Sequence, residues 1–157
     1  MLTKEDFQKK ITEGFSILDG ATGSNLRNAG MPKGCCAEAW ILENPGILQQ
    51  LQREYAEAGS QILFAPTFQA QPIALQQVGL AEKTEHINEK LVSLTRSVCG
   101  NALVAGDLTT VGRPDVPYEE LLRIYSRQAA ALAAATSSFV LKSTSATRTR
   151  GVAAARR

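Results

Sequence analysis

Acidic residues run out early in this chain. None occurs after Glu120, and the last 37 residues carry 7 basic side chains and no acid, a net of +7. Up to Glu120 there are 10 basic and 15 acidic residues, a net of −5. A basic end can mark a nucleic-acid surface. Here the arginines are scattered among Ala, Thr and Ser, with no aromatic platform beyond Phe139, so no nucleic-acid partner is expected. Histidine is nearly absent: His86 stands alone in a stretch with helical spacing, where a surface position is expected. No apolar run approaches the roughly 18 to 20 residues that span a membrane, and the charged opening "MLTKEDFQKKITEG" has no signal-peptide apolar region. The expectation is a cytoplasmic protein without a membrane partner. Cysteine is sparse too. The adjacent pair Cys35 and Cys36 and the distant Cys99 make an odd set that no disulfide framework uses, so reduced thiols are expected.

What is present is ordinary globular material. Hydrophobic residues make up 44% and charged residues 20% of 157, which suits one domain with a sizeable core. Thr3 with Asp6 resembles a capping box ahead of Phe7 and Ile11, and Gly14 stops that helix. "FSILD" reads as a short buried strand, and residues 26 to 40 read as irregular. Asn44-Pro45 is a helix start, with Ile47, Leu48, Leu51, Tyr55 and Ala58 at helical spacing and Gly59 as the stop. "QILFA" is a second strand and "PIALQQVG" a short helix. Thr84 can cap a helix striped by Ile87, Leu91, Leu94 and Val98. "ALVAGD" is a third strand, and Pro117 opens a helix with Leu121, Leu122, Tyr125, Ala129 and Leu132 inward. "SFVL" can be a fourth strand and "TRTRGVAAARR" a weak helix. Strands that are short and apolar on both faces, alternating with helices, predict an α/β fold with a parallel sheet. Each strand runs into polar residues, Asp19, Thr67 and Asp107, at the end where parallel α/β folds carry their sites.

The first of these corners, "ILDGATGSN", invites three readings. It lacks the lysine of a phosphate loop and has the wrong glycine spacing for a dinucleotide turn. It does place backbone N–H groups beside one carboxylate. Amides can hold an anion and Asp19 a cation, a pairing that suits the two ends of an amino acid. Equally, Asp19 can cap the turn while the glycines only permit the bend. No nucleophile–base pair stands out, since Ser24 has no histidine partner. No complete metal site is legible: Cys35-Cys36 falls short of the three or four ligands zinc needs, and Cys99 belongs at the opposite end of the unit.

Taken together, "DGATGS", "ENP", "YAEAGSQIL", "PTF" and "AGDL" resemble the beginning of the homocysteine S-methyltransferase family, over about Phe15 to Ala134. The homocysteine-binding modules of cobalamin-dependent methionine synthases are the most similar members, and betaine– and S-methylmethionine–homocysteine methyltransferases share the pattern. The resemblance implies a (β/α)8 barrel, of which this chain would be the N-terminal half with three to four β/α units. It also implies a zinc ion held by three cysteines, which keeps the homocysteine sulfur as a thiolate for attack on a methyl donor. Asp19 would receive the substrate ammonium, and the amides of the Gly20–Gly23 corner, around Thr22 and Gly23, its carboxylate. Thr67 and Phe68 would shape the pocket, and Asp107 would close the third strand end. The departures are as specific. A full barrel takes about 250 residues, and the family's "GGCC" zinc motif is not in this sequence. Cys35 and Cys36 do not correspond to it. Where the family has Glu-Thr after its fourth strand, this chain has Lys142 and Ser143. The expected layout is therefore a partial homocysteine-binding barrel over 1–135 and a degraded or frame-shifted tail over 136–157. Homocysteine and a methyl donor would be its small-molecule partners, and a C-terminal half-barrel or cobalamin-binding modules its macromolecular ones, with cobalamin arriving on such a module. The rival expectations are an inactive fragment that at most binds an amino acid, and a doubly wound binding domain.

Overall fold

The computed structural model describes residues 4–12, 14, 16–135 and 139–142. Thr3, Ser143 and the tail helix expected over 147–157 lie outside them. Helix α1 (Lys4–Thr12) ends before Gly14, as its sequence indicates. Helices α2 (Thr22–Asn28) and α3 (Ala37–Glu43) follow. Then come α4 (Pro45–Glu57), strand β1 (Ile62–Ala65) and α5 (Pro72–Gln76). A 3-10 turn, Ala81–Lys83, leads into α6 (Thr84–Arg96). Strand β2 (Leu103–Leu108), α7 (Tyr118–Ala135) and β3 (Phe139–Lys142) complete the order.

The three strands form one parallel sheet in the order β1-β2-β3, with Ile62 opposite Leu103 and Ala105 opposite Phe139. Helices connect successive strands, as parallel pairing requires. β1 is buried at Ile62, Leu63 and Ala65, and β2 at Val104, Ala105 and Leu108. One apolar cluster joins Leu26, Ile41, Leu48, Leu75, Ile87 and Leu91 among helices α2 to α6. A second joins Ala65, Val92, Val104, Leu108 and Leu132 under α6 and α7. Gly106 lets α7 approach, because a Cβ there would stand 3.0 Å from Leu132.

Four expectations change. "FSILD" does not form a ladder among the described residues: it meets β1 through one parallel bridge, Leu18 with Ile62, and Ile17 and Leu18 are exposed. Backbone bonds hold it there, Ile17 O accepting from the Gln61 (2.8 Å) and Ile62 (3.3 Å) amides and Asp19 N donating to Ile62 O (3.0 Å). Side chains add to them, with Gln61 Oε1 accepting the Ile17 amide (3.3 Å) and Asp19 Oδ2 the Phe64 amide (2.9 Å). Residues 26 to 40 are irregular only over 29–36, since 26–28 and 37–40 are helical. Leu26 and Ile41 anchor two seven-residue helices, α2 and α3, and Gly30 (φ 104°) and Gly34 (φ 77°) take the bends between them. Asn44 precedes α4 with Pro45 at the first position, but its side chain donates to Trp40 O (2.9 Å) instead of capping. Thr84 likewise does not cap, since its buried hydroxyl donates to Ala81 O (2.6 Å) from the 3-10 turn that precedes α6.

Candidate functional site

The polar strand ends converge on a cleft of about 370 Å³. Asp19 enters it where the chain leaves β1's edge. Its amide donates to Ile62 O (3.0 Å) and its carboxylate accepts the Phe64 amide, so the backbone of β1 fixes both its main chain and its side chain. Burial pushes the Asp19 carboxyl from 3.8 up to about 6. Hydrogen bonds from the Phe64 and Asp19 amides oppose that rise, and the Asp107 charge adds a little to it.

Beyond Asp19 the expected corner is not a loose turn. It becomes helix at Thr22, with Ala21 in the N-cap position and no side-chain cap. The first amides of a helix have no intrahelical acceptor, so the N–H groups at Thr22 and Gly23 begin the helix at the cleft wall. Gly20 is required by packing: a Cβ there would come within 2.8 Å of the Tyr55 hydroxyl. That hydroxyl donates to Ala21 O (3.2 Å) and accepts from Asn25 Nδ2 (3.1 Å), tying α4 to the corner.

Of the residues expected at the site, Asp19, Gly20, Thr22, Gly23, Phe68 and Asp107 line the cleft together. Thr67 does not. It is fully buried behind the wall, where its hydroxyl donates to Asp107 O (2.9 Å) and accepts from Asp107 N (2.9 Å), joining the ends of β1 and β2. Phe68, its neighbour, is 40% exposed and faces the opening.

The sequence reading missed Glu38. It lies on the first turn of α3, is 3% exposed and lines the cleft. Its Oε1 accepts the Gln69 amide (2.8 Å) and its Oε2 the Cys36 thiol (3.6 Å). Burial raises both the Glu38 carboxyl and the Cys36 thiol above their ordinary values. An acid early in a helix normally reads as a solvated partner of the helix dipole, so only its tertiary position reveals it. Among the described residues, the cleft wall has three carboxylates, Asp19, Glu38 and Asp107, and no Lys, Arg or His.

A larger groove, about 620 Å³, lies where β2 begins. Its charged residues, Arg53 and Glu57, are both exposed, and no clustered carboxylate faces it. Size alone therefore does not locate the chemistry. Cys99 lies in that groove, away from Cys35 and Cys36, and all three cysteines are free thiols. Among the described residues no three His, Cys, Asp or Glu side chains stand close enough to hold a metal ion. No described helix is long and apolar enough to cross a membrane.

The family model described as "Homocysteine S-methyltransferase" matches residues 16–156. The chain also superposes on solved structures of the homocysteine methyltransferase MmuM from Escherichia coli. The metallated form gives a TM-score of 0.75 at 23% identity, over 87% of this chain and 56% of that one. The oxidized form gives 0.68 at 22% identity over 82% and 53%, and the apo form 0.58 at 21% over 83% and 50%. The chain therefore spans about half the length of the solved proteins it matches.

Proposed function

The chain belongs to the homocysteine S-methyltransferase family, and from that premise we propose that its cleft binds the amino-acid end of homocysteine. The parent reaction on this reading is methyl transfer to the homocysteine sulfur, giving methionine. The thiolate, not the thiol, is the nucleophile. The sulfur loses its proton, an S–C bond forms to the methyl group, and the bond from that methyl to its donor breaks. One observation carries the reading: a fixed, partly buried carboxylate at Asp19 stands beside the first amides of α2 in a wall that, among the described residues, has acids and no base. Asp19 would take the ammonium, the amides at Gly20, Thr22 and Gly23 the carboxylate, Phe68 one wall, and Asp107 the far end of the cleft. Thr67 supports the site from behind.

The three-cysteine zinc site that the resemblance implies does not fit the described residues: Cys99 lies in a separate groove from Cys35 and Cys36, and no three His, Cys, Asp or Glu side chains among the described residues gather to hold a metal ion. Zinc ligands, and cobalamin carried on its own module, would come from polypeptide outside these 157 residues. So would the second half of a (β/α)8 barrel, whose N-terminal half these units would form. Ile17 and Leu18 are exposed, and among the described residues their segment pairs only with β1, which would supply an edge for it. The same observations favour a second reading for the chain by itself, in which it binds the amino acid without turning it over.

Calorimetry with L-homocysteine tests the site. The chain binds it, and Asp19→Ala weakens binding about 10- to 100-fold, the range for a lost charge-assisted hydrogen bond, with the fold intact by circular dichroism. Equal affinity of the two proteins would overturn the ammonium role.

A further inference from the structure

The connection from β1 to α5, residues 66–71, is held by side chains of three other elements and by its own Thr67 hydroxyl on the backbone of β2. Gln128 Nε2 on α7 donates to Thr67 O (2.8 Å). The Thr67 hydroxyl is tied in turn to the Asp107 backbone on β2. Asn88 Nδ2 on α6 donates to Ala70 O (2.7 Å). Glu38 on α3 accepts the Gln69 amide. The first three ties act on buried residues, Thr67 and Ala70. Among these ties the Glu38 one reaches the exposed part of the connection, Phe68-Gln69, which lines the cleft.

Glu38 is poorly placed to meet a ligand itself. One oxygen is taken by the Gln69 amide and the other by the Cys36 thiol, and the side chain is almost wholly buried. A buried carboxylate with both oxygens engaged fixes geometry instead of presenting charge. We propose that Glu38 is a positioning residue: by accepting the Gln69 amide it holds Phe68 at the cleft and so sets affinity for the amino-acid ligand. The affinity part rests on the reading given above, whereas the hold on Gln69 does not.

The experiment uses the whole chain with two substitutions, Glu38→Gln and Glu38→Ala, and two readouts. Amide hydrogen exchange reports the hold directly. Gln69, although exposed, exchanges slowly in the unsubstituted chain and in Glu38→Gln, whose amide oxygen still accepts. It speeds at least about tenfold in Glu38→Ala, as expected when the tie is lost. Homocysteine affinity follows: within about twofold for Glu38→Gln and about tenfold weaker for Glu38→Ala. Fast Gln69 exchange in the unsubstituted chain overturns the proposal even if Glu38→Ala fails to fold. Equal losses of affinity in both variants also overturn it, since they would assign Glu38 a charge role. Failure of the unsubstituted chain to bind homocysteine would instead contradict the functional reading, and the exchange pattern would still decide whether Glu38 holds Gln69.

Discussion

Two segments of similar composition end differently. "SILD" and "QILFA" both place Ile-Leu ahead of the site, yet Ile17 and Leu18 are 57% and 47% exposed while Ile62 and Leu63 are 1% and 0% exposed. β1 has β2 on one side and helices packed against it, whereas the Ile17–Asp19 segment touches β1 through one bridge. Burial belongs to the neighbours and not to the residue type. The edge segment holds its place through backbone hydrogen bonds to Gln61 and Ile62, supplemented by the side chains of Gln61, Ser60 and Asp19.

Truncation breaks this comparison most sharply. Leu63→Ala should cost about 2–5 kcal/mol, the range for a fully buried leucine. Ile17→Ala should stay within about 0.5 kcal/mol, as exposed positions do. Denaturant melts of both variants measure the pair, and equal losses would show that the edge is packed in solution. Next in size, Gly20→Ala should cost about 1–3 kcal/mol by forcing Tyr55 from its place against the corner. Tyr55→Ala in the same background should recover part of that loss.

A smaller effect follows from pH. The Asp19 carboxyl is raised to about 6 from 3.8, so the folded chain binds more protons than the unfolded chain between those values. Its contribution to stability is therefore full below about 4, is lost as pH rises to about 6, and is level above that. Asp19→Asn should flatten this part of the melting profile. If the profiles of the two proteins run parallel, burial of Asp19 is not what raises it. Smallest of all, Asp107→Asn should lower the Asp19 value slightly, because the Asp107 charge is the weakest of its causes. Carboxyl-carbon NMR can resolve that change.

Much of the fold was legible because local rules and tertiary packing agree. Asn44-Pro45 starts α4, the Ile87–Leu91 stripe is buried on α6, and "ALVAGD" is β2. Helices α2 and α3 escaped because seven residues give too few turns for periodicity, and the glycines between them read as loop. The site was legible where a carboxylate ends an apolar run, as at Asp19 and Asp107. Glu38 was not, and neither were the buried amides Gln52 and Gln128, which donate to Phe64 O and Thr67 O. A polar side chain that satisfies a distant backbone group looks like a surface residue until the fold brings the two together. Thr67 shows the converse, a strand-end polar residue spent on joining two strands.

The central claim, that Asp19 anchors an ammonium group, is tested most directly by titrating the Asp19 carboxyl carbon by NMR with and without saturating L-homocysteine. The account predicts a midpoint of about 6 in the free chain and a clear drop toward the ordinary carboxylate value when the ammonium is bound. A midpoint that does not move on saturation would contradict it.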